Sequence, residues 1–348
     1  LACAPPTSPT LASVTPAELS RTVLRTVRRA VEADELSLSV LELPEQVLVQ
    51  RPPRPGCGDY ATNVALKLAG PAGRPPRQVA EILRRHLALA PGIARVDIAE
   101  PGFLNITLDA VTHADLVRAV RQRGPAYGHG EGLRDVRVTI VPADPQEARA
   151  TVVAEAANRL LRAGGAQEGP PEPAKPQPVA APLDELLRAL GPDAARWALL
   201  RPPPGDVPQP DPSVHLTQRA SNPLFRVRYA HARTRALLRN AHDLGIEPAA
   251  GDHAAYRHPA ETDLLGLIAD FPRVVDAAAR HRAPDRVARH AERTADAFFR
   301  FHDECPVLPK GDEKPSAVHG ARLALAEAAG TVLANGLTLL GISAPDHL

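Results

Sequence analysis

Residues 221–242 read SNPLFRVRYAHARTRALLRNAH. Asn222 before Pro223 predicts a helix N-cap followed by proline at the first helical position, where its missing N–H costs nothing. Arg228, His231, Arg235, Arg239 and His242 then recur at steps of three and four, so they share one helix face. Val227, Ala230, Leu237, Ala241 and Leu244 form a neighbouring stripe fit for burial. From Ser213 to Ala241 there are six arginines and no acidic residue. Such a strip is a candidate electrostatic footprint for phosphates; the plainer alternative is a solvated face on a helical bundle.

The rest of the composition limits that reading. A length of 348 residues suggests two or three domains. The formal net charge is only +1, so any affinity for a polyanion has to come from local patches. Only four of the 41 basic residues are lysine, and arginine is the better planar partner for phosphate and bases. Cys3, Cys57 and Cys305 are scattered and odd in number, which fits neither a disulfide framework nor a zinc site and predicts a reducing cytoplasm. The histidines have no ligand spacing, so no metal is expected. No membrane span or signal-peptide core is read. Methionine is absent, so the first residue is not an ordinary initiator.

Residues 1–17 are rich in proline, serine and threonine and are expected to be a loose tail. Thr15-Pro16-Ala17-Glu18 offers a helix start, with Leu19, Val23, Val27 and Val31 inward. After a break near Pro44, VLVQRPPRP is a strand candidate, GCGDYATNVALKLAG a glycine loop feeding a helix, and PPRQVAEILRRHLA a helix begun by proline. ARVDIAEPGFLNITL reads as two strands joined through Pro101-Gly102. These elements predict a compact α+β domain over 18–128.

Tyr127-Gly128-His129-Gly130 is read as a structural connector. Val136–Val141 is a strand, and Glu147–Ala163 a helix stopped by Gly164-Gly165. Together they give a βα unit over 129–165, too little to close a nucleotide-binding sheet. A proline-rich linker is expected over 166–182, and a helical domain over 183–348 with Trp197 in its core. Phe298, Phe299 and Phe301 are read as packing residues.

These pieces resemble class I arginyl-tRNA synthetase with its catalytic domain removed. Gly58-Asp59-Tyr60-Ala61-Thr62-Asn63, PPRQVAEIL and Pro101-Gly102-Phe103-Leu104-Asn105 look like the family's N-terminal additional domain, which implies contact with the D-loop at the tRNA elbow. Asn222-Pro223 with Tyr229-Ala230-His231-Ala232-Arg233 looks like the first helix of the DALR anticodon-binding domain, and ANGLTLLGISAPDHL resembles its last helix and tail. The fold implied is an α+β N-terminal domain followed by an all-α helical bundle, with no complete Rossmann sheet.

The departures bear on chemistry. VTIVPADPQEARATVVAEAANRLLRAGGA matches the flanks of the family's first catalytic βα unit but lacks its His-x-Gly-His signature, and Asp144 stands where the family has asparagine. The linker takes the place of the remaining active-site domain, including the Lys-Met-Ser-Lys-Ser-type loop. Arg228 stands where the family usually has glutamine, and Leu348 where it usually has methionine.

Adenylate formation needs donors arranged around a triphosphate. No phosphate loop, no catalytic residues and no cofactor are read from this sequence. The resemblance therefore implies a non-catalytic tRNA-binding protein. Phe103 and Asn105 would meet the elbow; Tyr229, His231 and Arg233 would meet the anticodon loop, with Arg228, Arg235 and Arg239 on phosphates. The alternatives are a protein-interaction module without RNA affinity, partnered with another protein, and an active arginine-tRNA ligase completed in trans. Each residue also has a structural alternative: Phe103 in the core, Asn105 tying the turn, Tyr229 packing on the bundle.

Overall fold

The computed structural model describes residues 16–39, 43–44, 47–52, 57–249 and 256–348. The tail expected over 1–17 therefore lies outside the described residues, except for Pro16 and Ala17. The described residues fall into two compact units that meet in sequence between Ala119 and Val120, with Tyr256 belonging to the first.

In the first unit, Pro16 opens α1 (Pro16–Glu32), where apolar residues at helical steps bury Leu19, Val23, Val27 and Ala30. Val31 is partly buried against the same core. Four strands follow: β1 (Val49–Gln50), β2 (Tyr60–Thr62), β3 (Ile93–Ala99) and β4 (Phe103–Leu108). They form one antiparallel sheet in the order β1-β2-β4-β3. Between β2 and β3 lie α2 (Val64–Ala69) and α3 (Pro76–Leu87), the latter begun by proline as expected. β2 was not anticipated: three residues behind a glycine are too few to show an alternation, and only pairing with β4 makes them a strand.

The β3–β4 turn passes through a cis Glu100–Pro101 peptide. Gly102 has φ +154°, and a Cβ there would stand 2.9 Å from the Pro76 side chain, so this turn closes directly onto the start of α3. α4 (Ala110–Arg123) follows β4; its weak amphipathic pattern gave no sequence signal.

The second unit opens with a βαβ segment made of β5 (Arg137–Pro142), α5 (Ala148–Ala163) and β6 (Gln167–Ala174). β5 and β6 pair in parallel. The stretch expected as linker thus carries a strand, a correction with a clear reason. QEGPPEPA is too proline-rich to signal a strand, and proline is tolerated where a strand has one edge free. Among the described residues, this two-stranded sheet and the four-stranded one are the only sheets, so no nucleotide-sized parallel sheet is formed.

The remainder is helical: α6 (Leu183–Leu200), the short α7 (Pro212–His215), α8 (Pro223–Asp243), α9 (Pro259–His281), α10 (Asp285–Glu304) and α11 (Ala317–Leu340). α6 is broken at Gly191, which has φ 73° just before Pro192. Trp197, Phe298 and Phe301 are fully buried, as the sequence predicted.

α11 corrects one expectation. By length and composition it is apolar enough to cross a membrane, but 78% of that window is buried inside the protein. In the connector after α4, the buried Tyr127 donates its hydroxyl to the Ile268 carbonyl at 3.0 Å. Gly128 has φ +100°, and a Cβ there would meet the Phe271 ring at 2.5 Å, so the tight loop is a packing device.

His290 of α10 is fully buried against Phe271, with ring centroids 5.7 Å apart, and neither ring nitrogen has a hydrogen-bond partner among the described residues. Burial lowers its pKa from 6.5 to about 4. The unfolded chain therefore binds a proton that the folded chain refuses, and stability falls as pH drops from 6.5 towards 4. The full effect is about 3 kcal/mol. A His290→Leu variant should lose less stability than the parent between neutral and acid pH, measured by urea unfolding at each pH. Equal losses in the two proteins would show that this histidine is not an acid-sensitive element.

Candidate nucleic-acid interface

In the first unit, the alternation along β4 decides where two of the expected residues go. Leu104, Ile106 and Leu108 point into the core, so Phe103, Asn105 and Thr107 must point the other way. Phe103 is 37% exposed, which removes the reading of it as a core residue. Asn105 sits mid-sheet, opposite Asp97 of β3 and Ala61 of β2, and is half-buried. The strand is held from below by Asp59, whose carboxylate accepts the Leu108 N–H at 2.7 Å. An aromatic ring and an amide are thus presented side by side on one strand face, the pairing that can stack on and hydrogen-bond to an unpaired base.

In the second unit, Asn222 caps α8 as its sequence predicts, accepting from the N–H groups of Leu224 at 3.1 Å and Phe225 at 3.4 Å. Val227, Ala230, Leu237 and Ala241 are buried. Leu244 is not: it lies one residue past the helix and is 55% exposed. The polar residues of α8 divide between two faces.

One face looks towards α10. There Arg226 pairs with Asp296 at 2.5 Å and lies over the Phe299 ring, 4.8 Å from its centroid. Tyr229 stacks with Phe225 and with Phe299, at centroid distances of 5.7 and 5.8 Å, and keeps 43% of its surface open. Arg233 is exposed and donates to His302 Nε2 at 3.3 Å.

The other face lies under the segment that follows α11. Arg228 donates to Ser343 Oγ at 3.3 Å and pairs with Asp193 at 3.6 Å. His231 is buried, its Nδ1 3.0 Å from the Pro345 carbonyl oxygen, and burial lowers its pKa. Arg235 pairs with Asp346 at 3.1 Å, while Arg239 reaches the Asp346 carbonyl at 3.4 Å and His347 Nδ1 at 3.3 Å. The row that sequence reading presents as unopposed therefore has opposition. It comes from Asp193 in α6 and from Ser343 to His347 more than 100 positions ahead, beyond the reach of any local charge count.

The βαβ segment was expected to be a remnant, and its geometry shows what fills it. The helix N-terminus after the first strand of such a unit is a natural anion site. Here the Glu147 carboxylate occupies it, accepting from the N–H groups of Arg149 at 3.0 Å, Ala150 at 2.5 Å and Val179 at 3.0 Å.

Arg149 itself is fully buried and spends all five of its guanidinium N–H groups on backbone carbonyls. Nε donates to Leu199 at 3.0 Å. Nη1 serves Gln177 at 3.0 Å and Asp206 at 2.6 Å, and Nη2 serves Pro202 and Pro203 at 2.8 Å each. Nothing in the sequence marked this residue. Its signal is indirect: proline-rich segments carry carbonyls without matching N–H donors, and something must supply them. An Arg149→Met variant should lose about 3 kcal/mol or more of stability in urea unfolding, because several buried carbonyls lose their donor. A loss below about 1 kcal/mol would mean that water replaces the guanidinium freely.

Comparison with known proteins matches this architecture to two domain families. Residues 19–108 match the arginyl tRNA synthetase N terminal domain, and residues 227–348 match the DALR anticodon binding domain. The arginine–tRNA ligase of Frankia alni is 28% identical, with 96% of this chain and all of the relative covered. That of Renibacterium salmoninarum is 26% identical with the same coverage. The first alignment runs over 555 positions, which 348 residues cannot fill, so part of the relative has no counterpart here. Among solved structures, the fold is similar to Thermus thermophilus arginyl-tRNA synthetase (TM-score 0.71, 13% identity, 96% of this chain and all of that one). It is also similar to the Plasmodium falciparum enzyme (TM-score 0.70, 9% identity, 97% of this chain and all of that one).

Proposed function

We infer that this chain, which carries matches to the arginyl tRNA synthetase N terminal domain and to the DALR anticodon binding domain, binds tRNA in the cytoplasm without charging it. Phe103 and Asn105 on the open face of β4 contact the elbow. Tyr229 and Arg233 contact the anticodon loop, and Arg228, His231, Arg235 and Arg239 join them when the segment after α11 lifts. The division proposed for these roles is an elbow-contacting domain over 18–128, a βα remnant over 129–165, a connector over 166–182 and an anticodon-binding domain over 183–348.

The observation that carries this reading is the state of the βαβ segment. Glu147 fills the helix N-terminus that would cradle a phosphate, and a negative carboxylate there repels one. Arg149, the first basic residue of α5, has no donor left to offer. An adenylate-forming site needs free donors aimed at developing negative charge, and here they are satisfied internally. The outward Phe103 beside Asn105 supports the binding half, since an open ring and an amide on one strand face can stack on and hydrogen-bond to an unpaired base.

Filter binding of purified protein to total tRNA should give a measurable affinity, with log affinity falling against log salt at a slope of roughly −3 to −4 for about four neutralised phosphates. The Phe103→Ala/Asn105→Ala variant should bind about ten-fold or more weaker, the loss of one stacked base and its amide contact. Arginine-dependent ATP–pyrophosphate exchange by the purified chain would overturn the non-catalytic half, and absence of tRNA binding at low salt would overturn the other.

The covered face of α8 gives a separate expectation. Asp346→Asn removes the carboxylate from Arg235 and should raise tRNA affinity several-fold in the same assay. An unchanged or lower affinity would mean that this face takes no part in binding.

A further inference from the structure

A second arginine row lies in the first unit. Arg21, Arg25, Arg28 and Arg29 of α1 are all exposed, on the side away from Leu19, Val23, Val27 and Ala30. Arg21 to Arg25 and Arg25 to Arg29 are steps of four and Arg25 to Arg28 a step of three, which gathers them on one side of the helix with rungs rising by about 6 Å. Arg25 donates to Thr22 Oγ1 at 3.0 Å. Among the described residues, no carboxylate lies within ion-pair distance of any of the four, although α3 alongside pairs its own Arg84 with Glu81 and Arg85 with Glu35. The two acidic residues of α1, Glu18 and Glu32, lie one turn from Arg21 and from Arg28 and Arg29, yet among the described residues neither forms an ion pair with them.

The contrast with α8 is the informative point. Arg226, Arg228 and Arg235 each meet a carboxylate, and Arg239 meets a carbonyl. The arginine helix that stands out in the sequence is neutralised by the fold, whereas the one that does not stand out is left open. Four guanidinium groups crowded on one helix face repel one another, and an external anion relieves that repulsion.

The kind of anion follows from the rest of the helix. A lipid surface takes a basic amphipathic helix by receiving its apolar face, and the apolar face of α1 is already spent on the core. A phosphodiester backbone needs no such insertion. It offers evenly repeated charges, each with paired oxygens that a guanidinium fork can grip.

We propose that the Arg21–Arg25–Arg28–Arg29 ridge of α1 is a sequence-independent contact for the phosphate backbone of the bound tRNA. The proposal rests on the tRNA-binding reading above and adds to it a surface distinct from the outward face of β4.

The experiment compares three proteins in tRNA filter binding across a salt series. The first is the parent and the second is Arg21→Gln/Arg25→Gln/Arg28→Gln/Arg29→Gln. The third removes four exposed arginines elsewhere, as Arg134→Gln/Arg188→Gln/Arg273→Gln/Arg280→Gln. The ridge should steepen the parent slope by about 2 to 3 beyond that of the four phosphates counted above, and the ridge variant should lose this increment and bind at least ten-fold weaker at about 50 mM salt, uniformly across tRNAs. The control variant should keep the parent slope.

An unchanged slope in the ridge variant would overturn the proposal and leave tRNA binding standing. An equal change in the control would also overturn it, since net charge and not the ridge would then be responsible. Parent protein that fails to bind tRNA at all would sink the underlying reading together with this one. Because the four side chains are solvent-exposed, unchanged urea unfolding of the ridge variant separates lost contact from lost fold.

Discussion

The buried guanidinium of Arg149 is the interaction on which the second unit depends. Proline-rich segments cannot satisfy one another: each proline keeps a carbonyl and gives up an N–H. Two such segments, around 170–182 and 202–212, converge here beside α5 and α6. Arg149 supplies five donors at one point and turns a surplus of carbonyls into a closed set of bonds. Burial lowers its pKa, while Glu147, Asp206 and Asp285 act in the opposite direction and favour the charged form. The charge is held by dipoles on all sides instead of by one carboxylate.

The same logic of donor satisfaction extends to function. This chain is rich in arginine yet nearly neutral, and many of its guanidinium groups pair with carboxylates within the fold. Of the five on α8, Arg226, Arg228 and Arg235 are matched by Asp296, Asp193 and Asp346. A basic patch read from sequence is a statement about neighbours in the chain, whereas a phosphate site depends on neighbours in space. In a near-neutral protein the two differ often, and the arginines left unmatched are the better guide to an anionic partner.

Between the domains that resemble a synthetase, the βαβ segment has turned inward. Glu147 holds the helix end and also fixes the Val179 N–H, so the carboxylate joins the connector after β6 to α5. A position suited to an anionic ligand has become a structural joint.

The sequence by itself determined the local elements and their kind. Asn222-Pro223 fixed the start of α8, Pro101-Gly102 fixed the turn before β4, and periodicity assigned the long helices; each rests on contacts within a few residues. Tertiary structure decided what local pattern does not contain. It made strands of Tyr60–Thr62 and of the proline-rich Gln167–Ala174 by giving them partners. It turned Phe103 outward because the registers of β2 and β3 commit Leu104 and Ile106 to the core. It also matched the α8 arginines with residues of α6, α10 and the segment beyond α11, and left those of α1 open. Pairing, burial and charge compensation are long-range properties, and the residues that supply them lie far apart in the chain.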